Sequence, residues 1–163
     1  MKNKNVLFLS QAAMIAAFYV ILTFLASSLG LASGSIQIRF SEALTILPYF
    51  TQAAVPGLTI GCLLANILTG CALPDMIFGT LATFLGAIGT RMIRKHKWLT
   101  PLPPIVANTT IVPFVLYYAY GIRPLWLSFI TVGIGEIISC DVLGLILQKS
   151  LSRYTSQLFT HQY

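Results

Sequence analysis

The chain has 163 residues, of which 56% are hydrophobic and only 9% charged, and its mean hydropathy of +0.83 lies far above the balance of a water-soluble domain. Ten bases against four acids give a net charge of +6, but no basic stripe is interleaved with exposed aromatics as nucleic-acid binding requires. The bases sit at the ends of apolar runs, where membrane proteins keep them, so the charge is a topology signal.

The first run, Val6 to Ala26 after "MKNK", is longer than a signal-peptide core of about 7 to 15 residues and is expected to be a retained helix over 6–27. It carries Ala12, Ala13, Ala16 and Ala17, two small-x-x-x-small pairs on adjoining faces that let another backbone approach, from inside the bundle or from a partner subunit. Next comes "SIQIRFSEALTILPYF", which sets Arg39 and Glu42 at the lip of an uncharged run from Ala43 to Pro74. As one helix that run would be about 48 Å long, too long for a hydrocarbon core of roughly 30 Å. Pro48 and the "AVPG" of residues 54–57 interrupt it, so two short helices, 42–54 and 57–72, are expected to join near Pro56. Small residues at Gly57, Gly61 and Ala65, and at Gly79, Thr83, Gly86 and Thr90 on a helix over 75–93, predict close packing inside the bundle. Helices over 103–120 and 125–149 complete the set.

Charge parity tests the split. Lys2 and Lys4 precede the first helix, while Arg91, Arg94, Lys95 and Lys97 follow the fourth. Both clusters belong in the cytoplasm, which demands an even number of crossings between them. The expectation is therefore an all-α integral membrane protein. Residues 1–163 form one compact domain of six transmembrane helices, N and C termini cytoplasmic, and Lys149 and Arg153 return inside. Arg39, Arg123, Glu42 and Asp75 then share the outer mouth, although Glu42 and Asp75 would also suit helix N-termini, where the dipole favours anions.

Glu136 stands about eleven residues into the last span, where an isolated carboxylate costs at least a few kcal/mol. Its α-helical face also holds Phe129, Gly133, Ser139 and Cys140, a small, mildly polar strip that leaves room for a pocket. Asp141 falls on another face, so Glu136 is expected to be the single acid near the membrane centre. Asn108 and Asn66 add amides that donate and accept, for a ligand or between helices. Tyr117, Tyr118, Tyr120 and Trp126 crowd the outer end of the last hairpin as an interfacial belt or as rings that stack on a planar ligand. Cys62, Cys71 and Cys140 form no C-x-x-C pair, and His96 and His161 lie outside the apolar runs; reduced thiols and neither metal nor cofactor are expected. No P-loop, H-E-x-x-H or G-x-S-x-G occurs, which argues against an enzyme, and no pair of similar halves marks an inverted-repeat transporter. A small binding bundle open to the outside fits best.

The strings "IQIRFSEALTILPYF", "GLTIGCLLANILTG", "LPDMIFGTLATFLGAIGT" and "VGIGEIISCDVLGL" give the chain, over nearly its whole length, a resemblance to QueT-type substrate-binding subunits (S-components) of energy-coupling factor (ECF) transporters. The string I-Q-x-R-x-S-E-A-L-x-x-L-P, from Ile36 to Pro48, is the specific element. The resemblance implies a six-helix subunit of an ABC importer in the bacterial cytoplasmic membrane that captures a queuosine precursor from outside. The precursor would be a 7-deazaguanine such as preQ1 or queuine. The subunit would work with a transmembrane T-subunit and two cytosolic ATPases, and the T-subunit would meet the alanines at 12, 13, 16 and 17. For such a ligand, Glu136 is expected to accept the N–H pair of the guanine edge. Asn108 or Asn66 would meet a carbonyl or the pyrrole N–H, and Tyr117 or Trp126 would stack. Glu42 or Asp75 would hold an aminomethyl cation, with Arg39 pairing the acid. The competing readings are a solitary proton-coupled carrier using Glu136 and Asp141, and a structural subunit whose acids only pair across helices.

Overall fold

A computed structural model describes residues 4–31 and 38–153, which hold helices and turns and no strand. Lys2, Ile36, Gln37 and His161 lie outside the described residues. The elements run α1 (Lys4–Ser28), a 3₁₀ segment (Phe40–Tyr49), α2 (Ala54–Leu68), α3 (Leu73–Met92), a 3₁₀ turn (Lys97–Leu99), α4 (Leu102–Tyr120), α5 (Leu125–Glu136), a π segment (Ile137–Leu143) and α6 (Gly144–Ser152). The last three form one unbroken rod from Leu125 to Ser152. Among the described residues, four helices are long and apolar enough to cross a membrane, and α2 is a shorter apolar helix.

Large apolar side chains face outward more freely than in a soluble bundle. On α1 Ala12, Ala16 and Ala26 are buried together with Ile15 and Tyr19, while Leu9, Met14, Phe18 and Ile21 point out. Hydrocarbon solvates large apolar chains as well as a protein core does, so inward positions go to residues that let backbones close up. A methyl built on Gly57 would lie 2.8 Å from the Ala12 carbonyl, and one on Gly61 would lie 2.8 Å from Tyr19 Cβ and 3.0 Å from Ala16 Cα. The α3–α4 contact is as tight: a methyl on Gly86 would meet Pro104 Cα at 2.7 Å, and Thr90 Oγ1 donates to the Thr100 carbonyl at 2.9 Å. Internal packing expected at Gly57, Gly61, Ala65, Gly79, Thr83, Gly86 and Thr90 is therefore present, with all seven buried. The alanine register is resolved too. Ala12 and Ala16 are buried against α2, and Ala13 and Ala17 face out.

Two expectations are corrected between Phe40 and Leu68. The helix read over 42–54 is a 3₁₀ segment, Phe40–Tyr49, whose residues Ser41 to Pro48 are all buried. A 3₁₀ run longer than about three or four residues is uncommon; here Pro48, which cannot sit inside an α-helix without striking the carbonyl four residues back, closes the segment, and protein encloses it on every side. The junction expected near Pro56 falls instead at residues 50–53, because Pro56 occupies the first turn of α2, where its missing N–H has no partner to lose. A third difference concerns the final helix, whose period widens to π over Ile137–Leu143, although Cys140 still shares the face of Glu136 as expected.

Replacement of Gly61 by valine is expected to lower stability by about 1–3 kcal/mol, because the atoms in its way are α1 backbone and Cβ. Ala13→Val, on the outward side of α1, is expected to leave the melting temperature nearly unchanged. Thermal unfolding of both variants in detergent checks the contrast.

Candidate functional site

Because the 3₁₀ segment dives inward immediately after Arg39, it carries Glu42 into the interior, where the residue is 1% exposed. Glu42 was expected at the outer lip, and Glu136 was expected to be the single central acid; the structure brings the two together. Tyr19 Oη donates to Glu42 Oε1 at 2.5 Å. The Asn108 amide nitrogen donates to Glu42 Oε2 at 3.3 Å and to Glu136 Oε2 at 3.0 Å, using both hydrogens of one NH₂ group. Cys140 Sγ, on the π segment, lies 3.2 Å from Glu136 Oε2 and 3.6 Å from the Glu42 carbonyl, and Thr45 Oγ1 reaches the same sulfur at 3.5 Å. Glu42, Glu136 and Cys140 thus hold ligand-type atoms within 4.8 Å of one another. No base takes part in these contacts. Neutral donors alone reach both oxygens of Glu42 and Oε2 of Glu136, the kind of pairing that burial away from water demands.

A cavity of about 370 Å³ adjoins this cluster, within the size range of small-molecule sites. Its walls include Thr23 of α1, Arg39, Asn66 of α2, Cys71, Asp75 of α3 and Tyr120 of α4. The two regions touch through Thr23, whose hydroxyl donates to Ser41 Oγ at 2.9 Å beside Glu42. Asn66 on the cavity wall also points its Nδ2 at Cys62 Sγ of the same helix, 3.7 Å away. Asp75, in the first turn of α3 and 4% exposed, accepts at Oδ2 from Tyr120 Oη at 3.2 Å. That hydroxyl is fixed in turn by the Ala72 backbone N–H at 3.0 Å. Asp75 Oδ1 is buried with no hydrogen-bond partner.

Of the residues singled out in the sequence, Arg39, Asn66 and Asp75 therefore meet at one cavity, and Glu42, Asn108 and Glu136 meet in the sealed cluster beside it. Tyr117 and Trp126 join neither. Tyr117 packs edge-on against Tyr118 and lies under the Arg123 guanidinium at 5.2 Å, and Trp126 is 63% exposed on the outer surface. Asp141 is half-buried, apart from the contacts of Glu136. Sequence reasoning missed Tyr19, Thr23 and Cys62. The signal for Tyr19 was the single hydroxyl-bearing ring of the first helix.

Asn108→Leu is expected to strip donors from two buried carboxyl groups and to cost about 1–3 kcal/mol for each group left unpaired. Glu136→Gln, which keeps the shape and an acceptor oxygen for Asn108, is expected to melt close to the wild type. Parallel thermal melts test this ordering.

Residues 9–153 match the family described as QueT transporter. The chain is 26% identical over 166 residues to a protein of Lactococcus lactis subsp. cremoris (strain MG1363) named queuosine precursor transporter QueT, across 91% of this chain and 95% of that one. No solved structure matches the chain.

Proposed function

The chain belongs to the QueT transporter family, and from that premise we propose that it is the substrate-binding subunit of an energy-coupling factor importer in the bacterial cytoplasmic membrane, taking up a queuosine precursor of the 7-deazaguanine class. The observation that carries the reading is the cavity itself. An acid, a base and an amide converge on a space of about 370 Å³ inside a multi-pass helical protein, and charged groups at such depth are costly unless they serve a ligand or a pathway. The name of the Lactococcus relative supplies the substrate class. Ligand binding belongs to Arg39, Asn66 and Asp75, with Glu42, Asn108 and Glu136 shaping the adjoining wall.

Six crossings with both termini inside fit this role. The 3₁₀ segment spans only about 20 Å at roughly 2 Å per residue, and α2 about 22 Å, but a short or irregular segment is tolerated at membrane depth where protein encloses it. Among the described residues, bases flank α1, the α3–α4 turn and the end of α6, as cytoplasmic ends should be. The outward stripe of Ala13 and Ala17 is the surface for the T-subunit, since Ala12 and Ala16 are occupied by α2. ATP hydrolysis belongs to the cytosolic partners.

Calorimetry of the purified chain with preQ1 tests the reading directly: saturable binding is expected, with stabilisation of about 2.7 kcal/mol at a hundredfold excess over Kd. No heat and no thermal shift with any 7-deazaguanine would overturn it. Ala13→Leu combined with Ala17→Leu is expected to preserve that binding and to abolish co-purification with the T-subunit. Uptake by liposomes holding this chain alone would instead favour a solitary carrier.

A further inference from the structure

Taking the cavity as the ligand site, as the reading above does, we infer that Asp75 is the specificity-determining residue. It accepts the N–H donors on the 2-amino-lactam edge of the ligand, while Arg39 and Asn66 meet the neighbouring carbonyl. Glu136 was the acid first expected in that role, but it is not on the cavity wall and its Oε2 already accepts from Asn108 and Cys140, while Glu42 accepts at both oxygens. Asp75 is the acid that lines the cavity, and its buried Oδ1 has no partner. The last torsion of an aspartate is soft, so both oxygens can serve a donor pair.

Three surrounding features prepare the carboxylate for that task. The Tyr120 hydroxyl receives the Ala72 N–H, so its own hydrogen is directed to Asp75 Oδ2. Gly79 leaves room for the acid and the amide together: a methyl there would lie 3.0 Å from Asp75 Oδ1 and 3.4 Å from Asn66 Nδ2. Arg39 lines the same cavity. An anion and a cation lining one small space match a ligand edge that carries donors beside an acceptor. The lactam of a 7-deazaguanine is such an edge: N1–H and the exocyclic amine donate, and the adjacent carbonyl accepts. A buried acceptor left unmatched penalises an analogue that lacks the donor more than a matched one rewards the true ligand.

The test compares 7-deazaguanine with 7-deazahypoxanthine, which lacks the exocyclic amine, by calorimetry on the full chain, with preQ1 as reference. The wild type is expected to prefer 7-deazaguanine by about 10- to 100-fold. In Asp75→Asn that ratio is expected to fall close to one. In Tyr120→Phe, which removes only the group orienting the carboxylate, it is expected to shrink to an intermediate value; this second variant decides the matter if Asp75→Asn does not fold. A wild type that binds both compounds equally, or variants that keep the full preference, would overturn the role of Asp75 while the transporter reading stands. A wild type that binds none of the three compounds would overturn the transporter reading itself and this inference with it.

Discussion

A single amide holds the interior together. Asn108 on α4 spends its two N–H bonds on carboxylates from different parts of the chain, Glu42 and Glu136. Of the four acids in the sequence, three are buried, and the two in this cluster are hydrogen-bonded by neutral donors. In a medium with almost no water, the alternative to these donors would be two desolvated groups that repel one another. The bond pattern therefore fixes where the 3₁₀ segment sits against α4 and α5. It also explains why Tyr19 and Cys140 face the same point, since each brings one more weak acid as a donor. Part of the neighbouring cavity wall is tied to this arrangement, because Arg39 is three residues before Glu42 and Ser41 accepts from Thr23 on that wall.

Around that centre the bundle closes by backbone proximity. Gly57 and Gly61 admit α1, and Gly86 and Gly89 admit the prolines at the start of α4. Such contacts gain dispersion energy over many atom pairs and do not rely on expelling water, which the bilayer lacks. They also hold the cavity walls rigidly, since α1, α2, α3 and α4 each contribute lining residues.

Much of this was legible in the sequence, and the limits follow from physics. The long helices at 6–27, 75–93 and 103–120 were read to within two residues of those found, because runs of apolar residues bounded by charge have one meaning in a membrane. The segment after Arg39 was not legible. Apolar content cannot distinguish a short crossing helix from a buried 3₁₀ segment, and Glu42 looked like a lip residue because charge at the end of an apolar run normally is one. Glu136 was recognised as an acid in need of compensation, but its donor Asn108 lay 28 positions away and shares its amide with Glu42 from a third part of the chain, a contact that no local pattern encodes. The pairing of Ala12 with Ala16, as against Ala13 with Ala17, was likewise undecidable until α2 was placed. The π turn over Ile137–Leu143 is announced by nothing in the local composition, although Cys140 kept the face expected for it beside Glu136.

The three thiols end up in unequal surroundings. Cys62 and Cys140 are shut inside the packed interior, whereas Cys71 is half-buried on the wall of the cavity. Alkylating reagents need a solvated thiolate, so a maleimide entering the cavity would meet one native sulfur and leave the others untouched, which gives the cavity a built-in chemical reporter of whether anything occupies it.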